Sequence, residues 1–212
     1  MPKYILTYFD LRGYGEYIRL LFTDNQIPFE DKRYTKEEWP QHKDKYVCTI
    51  EPSPFQQIPV LNEDNKEIPQ TGAILRHLAR THDLYGSSED DKTFVDVIFD
   101  GLRDLRTRYA YIVYFAFDKK AEYVKEALPA ELTKIEKLFK THKNGEGFVI
   151  GDKISFVDYV LFEELDVALT TAPGCLDAFP ALKGFHARFQ ERPNLKEYLA
   201  TRNPRINNTD NV

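Results

Sequence analysis

Cysteine is scarce in this chain of 212 residues: there are two, Cys48 and Cys175, and no C-x-x-C. Two cysteines cannot build a disulfide framework, and without the paired spacing a dithiol redox motif is excluded. Five scattered histidines (His42, His77, His82, His142 and His186) show no metal-ligand spacing, so no metal site is expected. No apolar run approaches the roughly 20 residues of a membrane span. The opening Met1-Pro2-Lys3-Tyr4 lacks the apolar core of a signal peptide, so the mature chain is expected to start here, in a reducing, cytoplasmic setting. Basic residues do not prevail, and a net charge of −5 argues against a general nucleic-acid binder. There is no internal repeat and no low-complexity segment. What the chain does have is 42% hydrophobic and 30% charged residues, the proportions of a globular protein large enough for one sizeable domain or two small ones.

The pattern divides in two. Tyr4–Phe9 is β-branched and aromatic and predicts a strand, Asp10–Gly13 a turn, and Glu16–Asp24 a helix with Tyr17, Ile18, Leu20, Leu21 and Phe22 on one face. Ile27–Tyr34 reads as a second strand, and Thr35–Phe55, with Pro40, Pro52 and Pro54, as irregular structure. From Gln57 the chain reads strand, polar turn (Asn62–Lys66), short strand ended by Pro69, then a helix with Ala73, Ile74, Leu75, Leu78 and Ala79 on its apolar face. Asp83–Asp91, with Gly, two Ser and four acidic residues, is the expected boundary, giving domains 1–82 and 83–212. The second half is helical throughout. Helices are expected over Lys92–Phe117, with Val97 and Gly101 among its apolar residues, and over Ala121–Thr141, Ser155–Thr170, Pro180–Arg192 and Asn194–Arg202. The tail, Asn203–Val212, is polar and expected to be loosely held. The fold class is therefore an α/β N-terminal domain of thioredoxin-like order followed by an all-α C-terminal domain.

The stretch from Gln57 to His77 organises the first half. Pro59 sits among strand formers yet has no N–H for a ladder, and a cis bond would leave neighbouring backbone groups to a ligand. Thr71 is placed to cap a helix whose N-terminus suits a carboxylate. From the residues alone, an edge strand, a hairpin and a capped helix with no ligand is the stronger account. Gly151-Asp-Lys-Ile-Ser-Phe-Val-Asp158 contains S-x-x-D before an apolar run, a capping box variant with a folding role.

Gln57-Ile58-Pro59 followed by Gln70-Thr71 resembles the glutathione-binding core of cytosolic glutathione transferases. The likeness spans residues 3 to 200 in order. Leu6-Thr-Tyr-Phe-Asp-Leu-Arg-Gly13 is similar to the opening of pi- and sigma-class members, and Ala172-Pro-Gly-Cys-Leu-Asp-Ala-Phe-Pro-Ala-Leu182 to pi-class chains. The resemblance implies Tyr8 as the catalytic phenol that donates to the sulfur of glutathione, the co-substrate, with no prosthetic group and no metal. It implies that Trp39, Lys45, Gln57, Ile58, Pro59, Gln70 and Thr71 hold the tripeptide, with Asp104 reaching it across a homodimer. Phe9, Leu11, Tyr14 and Tyr114 would face small hydrophobic electrophiles, and Phe55 would key into the partner subunit. Tyr14 departs from the pattern, because pi-class chains have an Arg there, and Cys48 resembles their reactive cysteine, with an inert thiol equally open. No Cys stands at the start of helix 1, where omega-type members carry one, which argues against thiol-disulfide chemistry. The implied activity is glutathione conjugation in detoxification, with organic peroxides as further acceptors. Two alternatives stand beside it: a sigma-type prostaglandin isomerase, and a non-enzymatic carrier of apolar ligands such as haem.

Overall fold

A computed structural model describes residues 3–43, 57–64, 66–209 and 211. The chain divides into two compact units, residues 1–78 with 193–208, and residues 79–192 with 209–212. The stretch 193–208, which the sequence places in the helical half, thus belongs with the first unit.

The first unit is built on a four-stranded sheet in the order β2-β1-β3-β4, from β1 (Tyr4–Phe9), β2 (Phe29–Tyr34), β3 (Val60–Glu63) and β4 (Lys66–Pro69). β1 runs parallel to β2, with α1 (Glu16–Asp24) as the crossover, and antiparallel to β3, which turns back into β4. A parallel pair needs such a crossover, whereas β3 and β4 need only a hairpin. Tyr4, Leu6, Val60, Leu61 and Ile68 from the strands are buried, as are Ile18, Leu21 and Phe22 of α1 and Ile74, Leu75 and Leu78 of α3 (Thr71–Thr81). β2 lies at an edge and is charged along its length, Glu30-Asp-Lys-Arg33, a composition that discourages further strand pairing. In the stretch read as irregular, a short helix, α2, covers Trp39–His42.

The second unit is helical: α4 (Glu89–Phe115), α5 (Lys120–Glu122), α6 (Leu128–Phe139), α7 (Phe156–Thr171) and α8 (Pro180–Gln190); α9 (Lys196–Thr201) lies in the first unit. α4 starts three residues before the expected Lys92, because the supposed linker supplies its cap. The Asp91 N–H donates to Ser88 Oγ at 3.0 Å, and Asp91 Oδ2 accepts from the Ser88 and Ser87 N–H groups at 3.0 and 2.9 Å. The expected single helix over 121–141 is interrupted by a π-helical turn at Tyr123–Ala127, and Pro129 stands in the first turn of α6. A proline cannot donate to the preceding turn, so the helix restarts around it. α4 exposes Val97 (52%) and Gly101, which the spacing had grouped with the core.

α7 is buried nearly all round, and its start is held by one carboxylate. Asp158 accepts from the Val149 N–H, the Ser155 N–H and the Ser155 hydroxyl, each at 2.8 Å. Burial pushes its carboxyl up to about 6, against the pull of those three donors. Asp158→Ala leaves two buried N–H groups unpaired and should cost about 3 kcal/mol, seen as a lower urea midpoint with unchanged slope. Because its carboxyl takes up a proton more readily folded than unfolded, Asp158 favours the native state most at low pH. Relative to Asp158→Asn, the wild type should therefore lose stability as pH rises from about 4 to about 6, and hold a constant difference above.

Candidate active site

Tyr8 lies near the end of β1, whose register with β3 ends at the Thr7–Val60 pair. The next residues along, Tyr8 and Pro59, stand opposite one another, and the Ile58–Pro59 peptide is cis. Pro59 has no N–H to offer, so the ladder stops there and the chain opens out at the level of the phenol.

The loop after β1 closes over the Tyr8 ring. Gly13 has φ +43°, and a Cβ on it would lie 2.6 Å from Tyr8 Oη; a Cβ on Gly15 would lie 2.5 Å from Tyr8 Cδ1. Only residues without a side chain let the backbone come this near. The reward is a hydrogen bond: the Tyr14 N–H donates to Tyr8 Oη at 3.1 Å. A hydroxyl whose oxygen accepts a hydrogen bond becomes a better donor of its own proton, since linked hydrogen bonds polarise one another. That suits a phenol whose task is to stabilise an anion.

Arg19 anchors this loop from below. Its fully buried guanidinium donates to the carbonyls of Leu11 (2.7 Å), Phe9 (3.3 Å) and Arg12 (3.5 Å), and pairs with Asp31 at 3.0 Å and Glu16 at 3.4 Å. Glu16, also buried, accepts at one oxygen from the Tyr198 hydroxyl (3.0 Å) and Arg202 (3.2 Å). Burial beside this carboxylate pushes the Tyr198 phenol well above its ordinary range. At the rim, Arg33 donates to Asp10 at 3.0 Å and holds that carboxyl below the usual value.

Of the expected tripeptide residues, Trp39, Gln57, Ile58, Pro59, Gln70 and Thr71 are described and belong to the first unit. Trp39 is half-buried and packs edge-on against Phe9, with ring centroids 5.9 Å apart; Phe9 in turn lies 5.6 Å from Tyr8. Gln57 and Gln70 meet through their side-chain amides at 3.5 Å. Gln70 has φ +73°, a left-handed value that costs a non-glycine residue energy and is found at binding sites. Thr71 is the first residue of α3 and not its cap; the Gln70 carbonyl accepts the first helical bond, from Ile74 at 3.0 Å. Of the expected electrophile contacts, Phe9 and Tyr14 are half-buried, whereas Leu11 is packed to 3% exposure. Asp104 and Tyr114 are exposed on α4 of the second unit. Lys45, Cys48 and Phe55 lie outside the described residues. Among the described residues, no group of three or more His, Cys, Asp or Glu is placed to hold a metal ion, and no helix is long and apolar enough to cross a membrane.

Residues 5–80 match the glutathione S-transferase N-terminal domain, and residues 103–202 match the C-terminal domain of the same family. The chain belongs to the glutathione S-transferase family. It is 52% identical over 206 residues to glutathione S-transferase P of Caenorhabditis elegans, covering 95% of this chain and 96% of that one. Human glutathione S-transferase P is 37% identical, with 95% and 93% covered. A solved pi-class glutathione S-transferase of Onchocerca volvulus superposes with a TM-score of 0.88 at 45% identity, covering 93% of this chain and 92% of that one. The thioredoxin-like domain and the all-helical domain are thus those of the transferase family, and the likeness to pi-class members runs the length of the chain.

Three features of this transferase site escaped the sequence: the two glycines against the phenol, the Arg19 hub, and the return of residues 193–208. The spacing Gly13-x-Gly15 and a lone Arg inside the apolar run Tyr17–Phe22 were the signals for the first two. Gly13→Ala should displace the phenol, since the new Cβ has neither the space nor a favourable φ. Conjugating turnover should fall about 10²-fold, with about 1–2 kcal/mol of stability lost. Steady-state rates beside a thermal melt would check both; wild-type turnover would mean that the ring has room to move aside.

Proposed function

We propose that this chain catalyses attack of the glutathione thiolate on small hydrophobic electrophiles. The observation that carries the reading is the Tyr8 hydroxyl, set opposite cis-Pro59 with the Tyr14 N–H on its oxygen. A free thiol has a pKa of about 8.5, and the thiolate is the nucleophile. A phenol that donates to sulfur favours the anion and so supplies nucleophile at neutral pH. In the conjugation step the sulfur lone pair forms the S–C bond while the leaving group departs with its electron pair, or an activated double bond takes up the charge and then a proton.

In this reading Trp39, Lys45, Gln57, the Ile58 backbone beside Pro59, Gln70 and Thr71 hold the tripeptide. The strained backbone at Gln70 and the start of α3 support a carboxylate there. Phe9 and Tyr14 provide an apolar wall for the electrophile with buried Leu11 behind it, and Tyr114 takes the same role by resemblance. The protein acts as a cytoplasmic homodimer keyed by Phe55, with Asp104 serving the partner's site. Support for the dimer comes from α4, where Val97, Gly101 and Asp104 share one exposed face and a Cβ on Gly101 would meet no atom within 4 Å.

A chloronitrobenzene conjugation assay tests the reading directly. Tyr8→Phe should lower turnover about 10²–10³-fold while leaving glutathione binding nearly intact, because the phenol acts on sulfur and not on the carboxylates. The thiol pKa in the complex, read from thiolate ultraviolet absorbance, should rise in the same variant. An unchanged value would remove Tyr8 from the mechanism.

Tyr14 stands where an Arg would draw anionic acceptors. It packs edge-on against Tyr17 at 6.1 Å. Tyr14→Arg should raise kcat/KM for a carboxylate-bearing acceptor such as ethacrynic acid more than for a neutral aryl halide. The gain should shrink with added salt, since an exposed charge is screened over about 8 Å at physiological ionic strength. Equal effects on both substrates would place Tyr14 away from the electrophile.

A further inference from the structure

The loop that carries the Tyr14 N–H to the phenol is held from outside by residues nearly two hundred positions away. The Arg12 N–H donates to the Arg205 carbonyl at 2.8 Å and the Gly13 N–H to the Ile206 carbonyl at 3.1 Å. Asn203 Nδ2 donates to the Asp10 carbonyl at 3.0 Å and to its carboxylate at 3.1 Å. At the first residue of α1, Glu16 takes the Tyr198 hydroxyl and Arg202, and at the far end of that helix Asn194 Nδ2 donates to the Asp24 carbonyl at 2.7 Å. Leu195, Ile206 and Asn207 are buried, so the segment is fixed by packing as well as by hydrogen bonds.

These contacts converge on one short backbone stretch. Asp10, Arg12, Gly13 and Glu16 each bond to the segment, and between Gly13 and Glu16 lies Tyr14, whose N–H meets the phenol. Arg19 holds the carbonyls of Phe9, Leu11 and Arg12 on the inner side. The loop is thus clamped between a buried guanidinium and a pair of returning carbonyls, with the donor to Tyr8 Oη between the clamped points.

We propose that residues 198–206 are a positioning element for the thiolate-stabilising phenol: by fixing the Arg12 and Gly13 N–H groups they hold the Tyr14 N–H on Tyr8 Oη, and so set how far the bound thiol is acidified. The segment does not touch the sulfur; it acts through the loop. The inference rests on Tyr8 being the sulfur's donor, and it adds a distant stretch on which that donor's strength depends.

A chain ending at Asn203 removes both carbonyls, and a chain ending at Asn208 keeps them. In each, the pKa of bound glutathione is read from thiolate absorbance against pH, beside the glutathione Kd and the thermal midpoint. The shorter chain should raise the thiol pKa by about half to one unit, roughly three- to tenfold less thiolate below both values. Its glutathione Kd should stay within about twofold of wild type, because the tripeptide residues are untouched. The chain ending at Asn208 should keep the wild-type pKa. Ile206→Ala, which loosens the anchor and keeps the chain, should shift the pKa in the same direction, and it decides the matter where the shorter chain does not fold. Folded variants with a lowered thermal midpoint and a wild-type thiol pKa would mean that the segment only adds stability, and would overturn the proposal. A wild-type complex with no acidified thiol would instead overturn the role of Tyr8 itself.

Discussion

The first unit depends on the burial of one guanidinium. Arg19 has no exposed surface, and a charge out of water is tolerated only when paired and fully hydrogen-bonded. Asp31 and Glu16 supply the opposite charge, and the carbonyls of Phe9, Leu11 and Arg12 take the remaining donors. The fork of the guanidinium is rigid and planar, so satisfying it fixes where those carbonyls lie. The loop around Tyr8 therefore has one conformation, and the glycines that permit it have a purpose. Replacing Arg19 by an apolar residue would strip the buried Glu16 carboxylate of one of its cations and leave the carbonyls of Phe9, Leu11 and Arg12 without the guanidinium that gathers them.

From that constraint the site follows in steps. The fixed loop places an N–H on the phenol oxygen, and the ladder between β1 and β3 stops at a proline directly opposite. Backbone that would otherwise pair is left at the edge of the sheet beside Gln57, and the strained Gln70 presents the start of α3. Each element is ordinary alone. A strand end, a tight loop, a hairpin and a helix start are brought to one edge because β1 is central and β3 runs antiparallel to it.

Much of this was legible in the sequence. Strand composition and helical spacing located β1, α1, β3, β4 and α3, and the proline inside a strand-forming run marked the special turn. The S-x-x-D spacing identified the start of α7 from two residues. What stayed hidden depended on distance along the chain. Ser88 and Asp91 look like linker residues until they are seen to satisfy each other's backbone, and Val97 matches a core spacing although it lies on an exposed face. In the sequence, Asn194–Arg202 reads as a helix of the second half and Asn203–Val212 as a loose polar tail, because Tyr198, Arg202 and Asn203 suit water as well as a buried partner. Their partners, Glu16 and Asp10, are more than 180 residues earlier, and no local pattern reports a pairing of that range.

Because residues 193–208 complete the first unit, that unit is not a continuous piece of chain, and its assembly has an order in time. As synthesis proceeds, β1, α1 and the strands that pair with them emerge early, with Glu16 and the Arg12 and Gly13 N–H groups still lacking their later partners. Those partners arrive only after helices α4 to α8 of the second unit have been made. Closing so long a loop carries an entropic cost that grows only slowly with its length, so the delay matters more than the distance. The nascent N-terminal unit must wait, partly satisfied, for the last portion of the chain, and the loop around the reacting group is among the last places to become fixed.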